Sequence, residues 1–154
     1  MKKLMIERSK CGGCGVCQAL CSLKRAGEVR PGESAIRVER YAGADGLNVV
    51  YCQHCADPVC VTACLKGVVD RGADGAVTRR EEGCFACGAC EVMCPFGAPV
   101  YDSVRDVYVT CDLCGGDPLC VKVCPTGALA YLEEAEISCR FREGHARERF
   151  GGNR

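Results

Sequence analysis

The chain of 154 residues carries seventeen cysteines, no tryptophan, and twenty Lys and Arg against twenty Asp and Glu. So much cysteine marks a scaffold held by something other than a hydrophobic core, and balanced charge without interleaved aromatics excludes a surface for nucleic acid. No stretch approaches the length of a bilayer span, and Lys2 and Lys3 lead into Ile6-Glu7-Arg8-Ser9-Lys10 rather than the apolar core of an export signal, so the expected compartment is cytoplasmic, where a reducing poise disfavours disulfides.

Lys3 to Ile6 reads as a short strand entering the first cysteine run, Cys11, Cys14, Cys17 and Cys21. Gly12, Gly13 and Gly15 stand between these cysteines, either to bring N–H groups close to a bound centre and tune it or to permit tight turns. Lys24 to Glu33, with Gly27, Pro31 and Gly32, reads as a surface connection. Ile36, Val38 and Arg40 alternate with Arg37, Glu39 and Tyr41, and Gly43-Ala44-Asp45-Gly46 returns the chain to Leu47–Tyr51 as a hairpin. The second run is Cys52, Cys55, Cys60 and Cys64, with a wider middle gap. A second hairpin joins Val68-Val69 to Ala76-Val77-Thr78 through another Gly-Ala-Asp-Gly, Gly72 to Gly75. The third run, Cys84, Cys87, Cys90 and Cys94, is followed by Pro95 and by a hairpin from Pro99-Val100-Tyr101 to Val107-Tyr108-Val109 through Ser103 to Asp106. The last run is Cys111, Cys114, Cys120 and Cys124, then Pro125-Thr126-Gly127-Ala128. Short helices are predicted after the third cysteine of each run, as at Gln18 to Leu20 and Val121 to Val123.

The third run fits C-x2-C-x2-C-x3-C-P, the pattern of a 4Fe-4S site, at every fixed position. A cubane needs four thiolates; a loop with three wraps three corners, and in two-cluster ferredoxins the cysteine before the proline ligates the other cluster. Four runs of four thiolates fill four cubanes, so four 4Fe-4S clusters are expected, with all sixteen of these cysteines as ligands. Ligating thiols are deprotonated, leaving roughly −2 on each oxidised site and about −8 on four, a charge that many Lys and Arg offset. The second and fourth runs share their letters as well as their spacing, C-Q-H-C-A-D-P-V-C-V-T-A-C against C-D-L-C-G-G-D-P-L-C-V-K-V-C, and the first and third share the compact spacing, so the chain reads as duplicated modules.

This order of runs resembles the four-cluster ferredoxin-like electron-transfer subunits that accompany dimethyl sulfoxide reductase, formate dehydrogenase, tungsten aldehyde oxidoreductase, hydrogenases and carbon monoxide dehydrogenase. The resemblance covers Cys11 to about Leu129. It implies an α+β fold of two ferredoxin-like modules around four clusters: one unit over residues 1–138, the outer module from 1–47 with 105–138 and the inner from 48–104. It also implies nested ligation: Cys11, Cys14, Cys17 with Cys124; Cys111, Cys114, Cys120 with Cys21; Cys52, Cys55, Cys60 with Cys94; and Cys84, Cys87, Cys90 with Cys64. Cys21 and Cys64 depart from the pattern, being followed by Ser22 and Leu65 rather than proline. The chain ends soon after the last run, without the membrane-anchoring tail of several relatives, which makes a quinone-facing role the less expected one.

The function implied is non-catalytic: one-electron transfer between a catalytic oxidoreductase subunit, with a tungsten or molybdenum aldehyde oxidoreductase the attractive analogy, and a second redox subunit or carrier in a hetero-oligomer. A free polyferredoxin is the alternative. A structural zinc protein fits serial quartets ending in Cys-Pro badly, and a radical enzyme would use a three-cysteine loop of different spacing. His54 lies in a ligand loop, where imidazole replaces thiolate in some sites; with sixteen thiolates assigned, hydrogen bonding or packing beside a cluster is the expected role. Cys139, the odd cysteine, is expected to be a small buried residue. Residues 139–154 read as a tail, with five arginines against two glutamates over Arg140 to Arg154 and Phe141, Phe150 and Gly151-Gly152 among them; it is either solvated and mobile or a docking segment.

Overall fold

The computed structural model describes residues 1–42 and 46–150. In chain order the elements are β1 (Lys2–Ile6), α1 (Val16–Ala26), β2 (Ile36–Arg40), β3 (Leu47–Tyr51), α2 (Val59–Thr62), β4 (Val69–Arg71), β5 (Val77–Arg79), α3 (Ala89–Val92), β6 (Val100–Asp102), β7 (Val107–Val109), α4 (Leu119–Lys122), β8 (Leu129–Glu133) and α5 (Glu134–Phe150). The architecture is α+β, with each cysteine run separated from the next by a two-stranded antiparallel unit.

Three of these units are the hairpins the alternation predicts, with Val38 opposite Val49, Asp70 opposite Thr78 and Tyr101 opposite Tyr108. The first hairpin's turn, at residues 43–45, lies outside the described residues. The second Gly-Ala-Asp-Gly closes β4 on β5: Asp74 Oδ1 accepts the Ala76 N–H at 3.0 Å and Gly75 takes φ +80°. In the fourth unit only the first strand, at Lys3 to Ile6, is among the predicted elements; its partner is not. β1 pairs with β8, Leu4 opposite Tyr131 and Ile6 opposite Leu129, and the Glu7 N–H continues the ladder to the Ala128 carbonyl at 2.8 Å. Two-stranded ribbons are marginal alone; these are held by what they cover.

What they cover is a divided interior in which side chains alternate with thiols. One patch joins Leu4, Ile6, Ile36, Ala76, Leu113 and Leu129, with Cys17, Cys21, Cys111, Cys120 and Cys124 packed against it. A second joins Cys52, Val68, Val69, Val77 and Ala98, with Cys60, Cys64, Cys84, Cys94 and Cys111 against it. Cys111 touches both patches, so the interior is continuous through sulfur.

The helices begin earlier than predicted. Each starts one residue before the third cysteine of its run, at Val16, Val59, Ala89 and Leu119, which puts that cysteine in the first turn. The compact runs achieve this with a left-handed glycine cap, Gly15 at φ +74° and Gly88 at +77°, and the wide runs with an extended proline, Pro58 and Pro118. Part of the expected surface connection at Lys24 to Glu33 is helical, because no proline follows Cys21 and α1 runs on to Ala26 before Gly27 caps it.

At the other end α5 is one helix across position 139, so a tail boundary there falls inside an element; Arg140 pairs with Glu136 at 3.1 Å. Cys139 is exposed on this helix rather than buried, its Sγ 3.7 Å from Glu143 Oε1. Residues 151–154, including Gly151-Gly152, lie outside the described residues. Among those described, no helix is long and apolar enough to cross a membrane.

Candidate metal centre

The four Cys-x-x-Cys loops share one backbone device. The residue before the second cysteine is left-handed in every run: Gly13 at φ +67°, His54 at +46°, Ala86 at +54° and Leu113 at +54°. For a residue with a Cβ this conformation costs about 1–2 kcal/mol, and three of the four bear it. Such strain persists where the surroundings over-determine it, and here it curls each loop around a common point.

A second device follows the fourth cysteine. Gly67, Gly97 and Gly127 lie three residues beyond Cys64, Cys94 and Cys124, and each returns its N–H to that cysteine's carbonyl at 3.0, 3.0 and 3.2 Å. Cys64 therefore keeps the turn although Leu65 replaces proline. The first run departs, with Cys21 in the body of α1.

The folded chain brings distant runs together. Cys11, Cys14 and Cys17 line one cavity with Cys124, beside Gly12, Gly15 and Thr126. Cys21 joins Cys111, Cys114 and Cys120 around a cavity of about 200 Å³. Cys64 joins Cys84, Cys87 and Cys90 around a third. Cys52 has Cys60, Cys55 and Cys94 as its sulfur neighbours. Cys139 joins none of these groups.

Left as thiols, the deep members of these groups resist ionisation. Burial pushes Cys17 up to about 11, opposed by the Gln18 amide and reinforced by Cys14, Cys11 and Cys124. Burial likewise carries Cys52 to about 12, against the His54 amide and with Cys60, Cys55 and Cys94 adding to it. Cys120 also reaches about 12, first through burial and then through Cys114, Cys21 and Cys17. Convergent sulfurs that repel one another's charge suit a cationic inorganic core, whose binding would drive off their protons.

Amide N–H groups point at the same sulfurs. Burial raises Cys64, but the amides of Val68, Lys66 and Val69 outweigh it and the thiol lies below its ordinary value. Cys124 behaves alike: burial is overcome by the Leu129 amide, the Thr126 hydroxyl and the Ala128 and Thr126 amides. Ala98 N–H donates to Cys94 Sγ at 3.5 Å and Leu113 N–H to Cys111 Sγ at 3.4 Å. A donor set of cysteines around cavities, with N–H groups aimed at sulfur, fits 4Fe-4S cubes. A zinc site instead needs four ligands about 2.0–2.3 Å from one ion. Among the described residues no three His, Cys, Asp or Glu are grouped closely enough for a single ion.

His54 is 1 % exposed and its Nδ1 accepts the Val77 N–H at 2.9 Å. It thus ties the second cysteine loop to β5, a hydrogen-bonding and packing role. Arg79 is a site residue that the cysteine pattern does not reveal. It follows Val77 by two positions on β5, so strand alternation alone would have turned it toward the interior, and it lines the cavity of Cys64, Cys84, Cys87 and Cys90.

Known proteins carry the same pattern. The polyferredoxin-like subunit of aliphatic sulfonate oxidoreductase from Pyrococcus furiosus is 41 % identical over 124 residues, covering 79 % of this chain and 70 % of that protein. The B subunit of anaerobic dimethyl sulfoxide reductase from Escherichia coli K12 is 34 % identical over 146 residues, covering 82 % and 70 %. Among solved structures, the active-site complex BamBC of benzoyl coenzyme A reductase with benzoyl-CoA superposes with a TM-score of 0.52 at 26 % identity, over 99 % of this chain and 92 % of that one. Residues 47–134 match the 4Fe-4S dicluster domain, and with more than half of its length inside that match the chain belongs to the 4Fe-4S dicluster family.

Proposed function

We propose that this chain is a wire: a non-catalytic subunit that passes single electrons through four 4Fe-4S clusters between a catalytic oxidoreductase subunit and a second redox partner in the cytoplasm. The ligand sets are Cys11, Cys14, Cys17 with Cys124; Cys21 with Cys111, Cys114 and Cys120; Cys52, Cys55 and Cys60 with Cys94; and Cys64 with Cys84, Cys87 and Cys90. The clusters supply the one-electron chemistry.

The observation that carries this reading is the linear adjacency of the four groups. Cys17 of the first neighbours Cys120 of the second, Cys111 of the second neighbours Cys52 of the third, and Arg79 neighbours both Cys60 of the third and Cys90 of the fourth. The exposed members of the four groups, Cys14 and Cys87, belong to the two end groups. The two middle groups hold no exposed cysteine and the ends each present one, an arrangement that suits a conductor within a complex. A catalytic partner of the molybdenum or tungsten class, the aldehyde-oxidising enzymes among them, is the one this family resemblance favours.

Anaerobic isolation from the source cells tests the assignment. The expected product co-purifies with a larger oxidoreductase subunit and holds about 16 irons per chain. Replacing Cys124 by Ala should perturb the spectrum of one cluster, the same one that Cys14→Ala perturbs, while Cys94→Ala perturbs the one that Cys55→Ala does. Migration solely as a small monomer would favour the free carrier, and disturbance of different clusters by Cys124→Ala and Cys14→Ala would break the nested scheme.

A further inference from the structure

Arg79 ends β5, opposite Val69 on β4, and shares the inward face of the strand with Val77, which is 1 % exposed; Thr78 between them is exposed. Its Nε and Nη2, which lie along one edge of the guanidinium fork, are buried, and neither completes a well-formed hydrogen bond among the described residues, although the Cys90 thiol lies within reach of the guanidinium. Nor does Arg79 enter any of the ion pairs among those residues. Its surroundings are sulfur. It lines the cavity of Cys64, Cys84, Cys87 and Cys90. On Cys60, Cys64 and Cys90, where burial is the leading influence and pushes upward, its charge acts in the opposite direction.

A guanidinium is always charged, and buried donors left unpaired are costly. An edge of two such donors beside a cavity of thiols is answered in full once those sulfurs carry negative charge, Cys90 being already within reach of the guanidinium. Arg25, beside the cavity of Cys21 and Cys111, differs: the Thr110 carbonyl accepts from it at 3.0 Å and Asp112 lies 3.8 Å away. Its charge is already answered.

We propose that Arg79 is the shared counter-cation of the third and fourth sites of the row, Cys52–Cys55–Cys60–Cys94 and Cys64–Cys84–Cys87–Cys90, with its Nε–Nη2 edge donating to sulfur in the second of these. This rests on the ligand sets proposed above. One-electron reduction adds one negative charge to a site, so a fixed cation between two sites stabilises the reduced form of both. Arg79 biases electrons toward the half of the row that ends at Cys87 and away from the half that ends at Cys14. It is a positioning and tuning residue and makes no bond to substrate.

The test compares wild type, Arg79→Gln and Arg79→Lys as anaerobically purified full-length protein, reduced stepwise with dithionite through mediators and followed by electron paramagnetic resonance, with iron counted first. In Arg79→Gln two of the four reduction steps should move to lower potential, the reduced-to-oxidised ratio at fixed potential falling about tenfold or more, equivalent to about 59 mV per tenfold for one electron. The other two steps should stay, and Arg79→Lys should shift the same two steps by less. Four unchanged steps, or four moving together, with iron retained would overturn the proposal. Should Arg79→Gln lose iron, Arg79→Lys decides: a shift confined to two steps supports it and no shift refutes it. A wild-type protein far short of about 16 irons would instead sink the ligand sets, and the placement of Arg79 between two of them with it.

Discussion

Asp102 joins the inner hairpin to the outer segment, and replacing it should loosen that joint measurably. The residue is 1 % exposed. Its Oδ1 accepts the Val104 and Arg105 N–H groups at 3.1 Å each, and Oδ2 accepts from Arg105 Nε at 2.8 Å with Nη2 at 2.7 Å. Arg105 reaches on to Glu81, while Arg30 lies 3.6 Å from Asp102 and pairs with Glu33, which in turn accepts from Ser103. Breaking a fully buried pair costs about 3–5 kcal/mol. Arg105 is 30 % and Arg30 21 % exposed, so water softens the loss to about 2–3 kcal/mol for Asp102→Ala. Asp102→Asn keeps an acceptor for the two amides and should lose about 1 kcal/mol. Because unfolding with iron loss is irreversible, the measurement is a rate: bleaching of cluster absorbance in anaerobic guanidinium, expected to be roughly 30- to 160-fold faster for Asp102→Ala to the extent that the joint is broken in the transition state.

The same joint has a defined pH dependence. Burial would raise the Asp102 carboxyl, but the Arg105 amide and guanidinium and the Val104 amide together hold it below its ordinary 3.8. The unfolded carboxyl therefore takes up its proton first as pH falls. The stabilisation is complete above about pH 4–5 and is lost as pH drops through the depressed folded value. The rate ratio between variant and wild type should be largest at neutral pH and shrink below the ordinary carboxyl value. Equal bleaching of wild type and Asp102→Ala at pH 7 would refute the reasoning.

Removing iron with a chelator and reductant should abolish cooperative melting and native circular dichroism, since sulfur-bound metal and folding are one free-energy event here; a native-like apoprotein spectrum would contradict this. Ala86→Gly should slow bleaching severalfold, because relief of a left-handed Cβ, about 1–2 kcal/mol, exceeds the entropy cost of glycine, about 0.5–1 kcal/mol. Gly13→Ala should do the reverse, as its Cβ would stand 2.9 Å from Arg40 Nη2 and Leu47 Cδ1; iron content and bleaching rate of this pair check both signs. Val77→Ala, at a site 1 % exposed in the inner patch, should cost about 2 kcal/mol, read as accelerated bleaching with the ligands intact.

Local signals are legible wherever chemistry and spacing coincide. The cysteine registers, the Pro and Gly after Cys94 and Cys124, and the period-two stretches at Ile36–Arg40 and Leu47–Tyr51 all stand in the sequence as they stand in the fold. The nesting of the runs is not in the spacing; it comes with the family resemblance. The β1–β8 ladder is hidden because Leu129–Glu133 carries no turn linking it to a partner more than a hundred residues away, and its pairing is decided by the shared apolar patch. The early helix starts are hidden because Gly15 and Gly88 read as loop glycines and Pro58 and Pro118 as breakers, whereas each is a cap. The left-handed backbone at Leu113 has no composition signal at all, since leucine does not favour it, and is imposed by the loop around it. Arg79 looks like one more surface charge until β5 turns it inward.

The β1–β8 ladder also sets a timetable for manufacture. On a ribosome, residues 52–94 emerge with all the cysteines of two of the proposed ligand sets close together in time, so that those two sites are able to mature while the rest is still being made. The opening segment has to wait for Leu129–Glu133 and Cys124, roughly 5 to 20 s later at ordinary elongation rates. On the ligand sets proposed above, its three sulfurs face the cell during that interval without their fourth companion. Maturation machinery, or the absence of oxygen, must protect the beginning of the chain longest, and a fault in late synthesis would appear first as damage at its start.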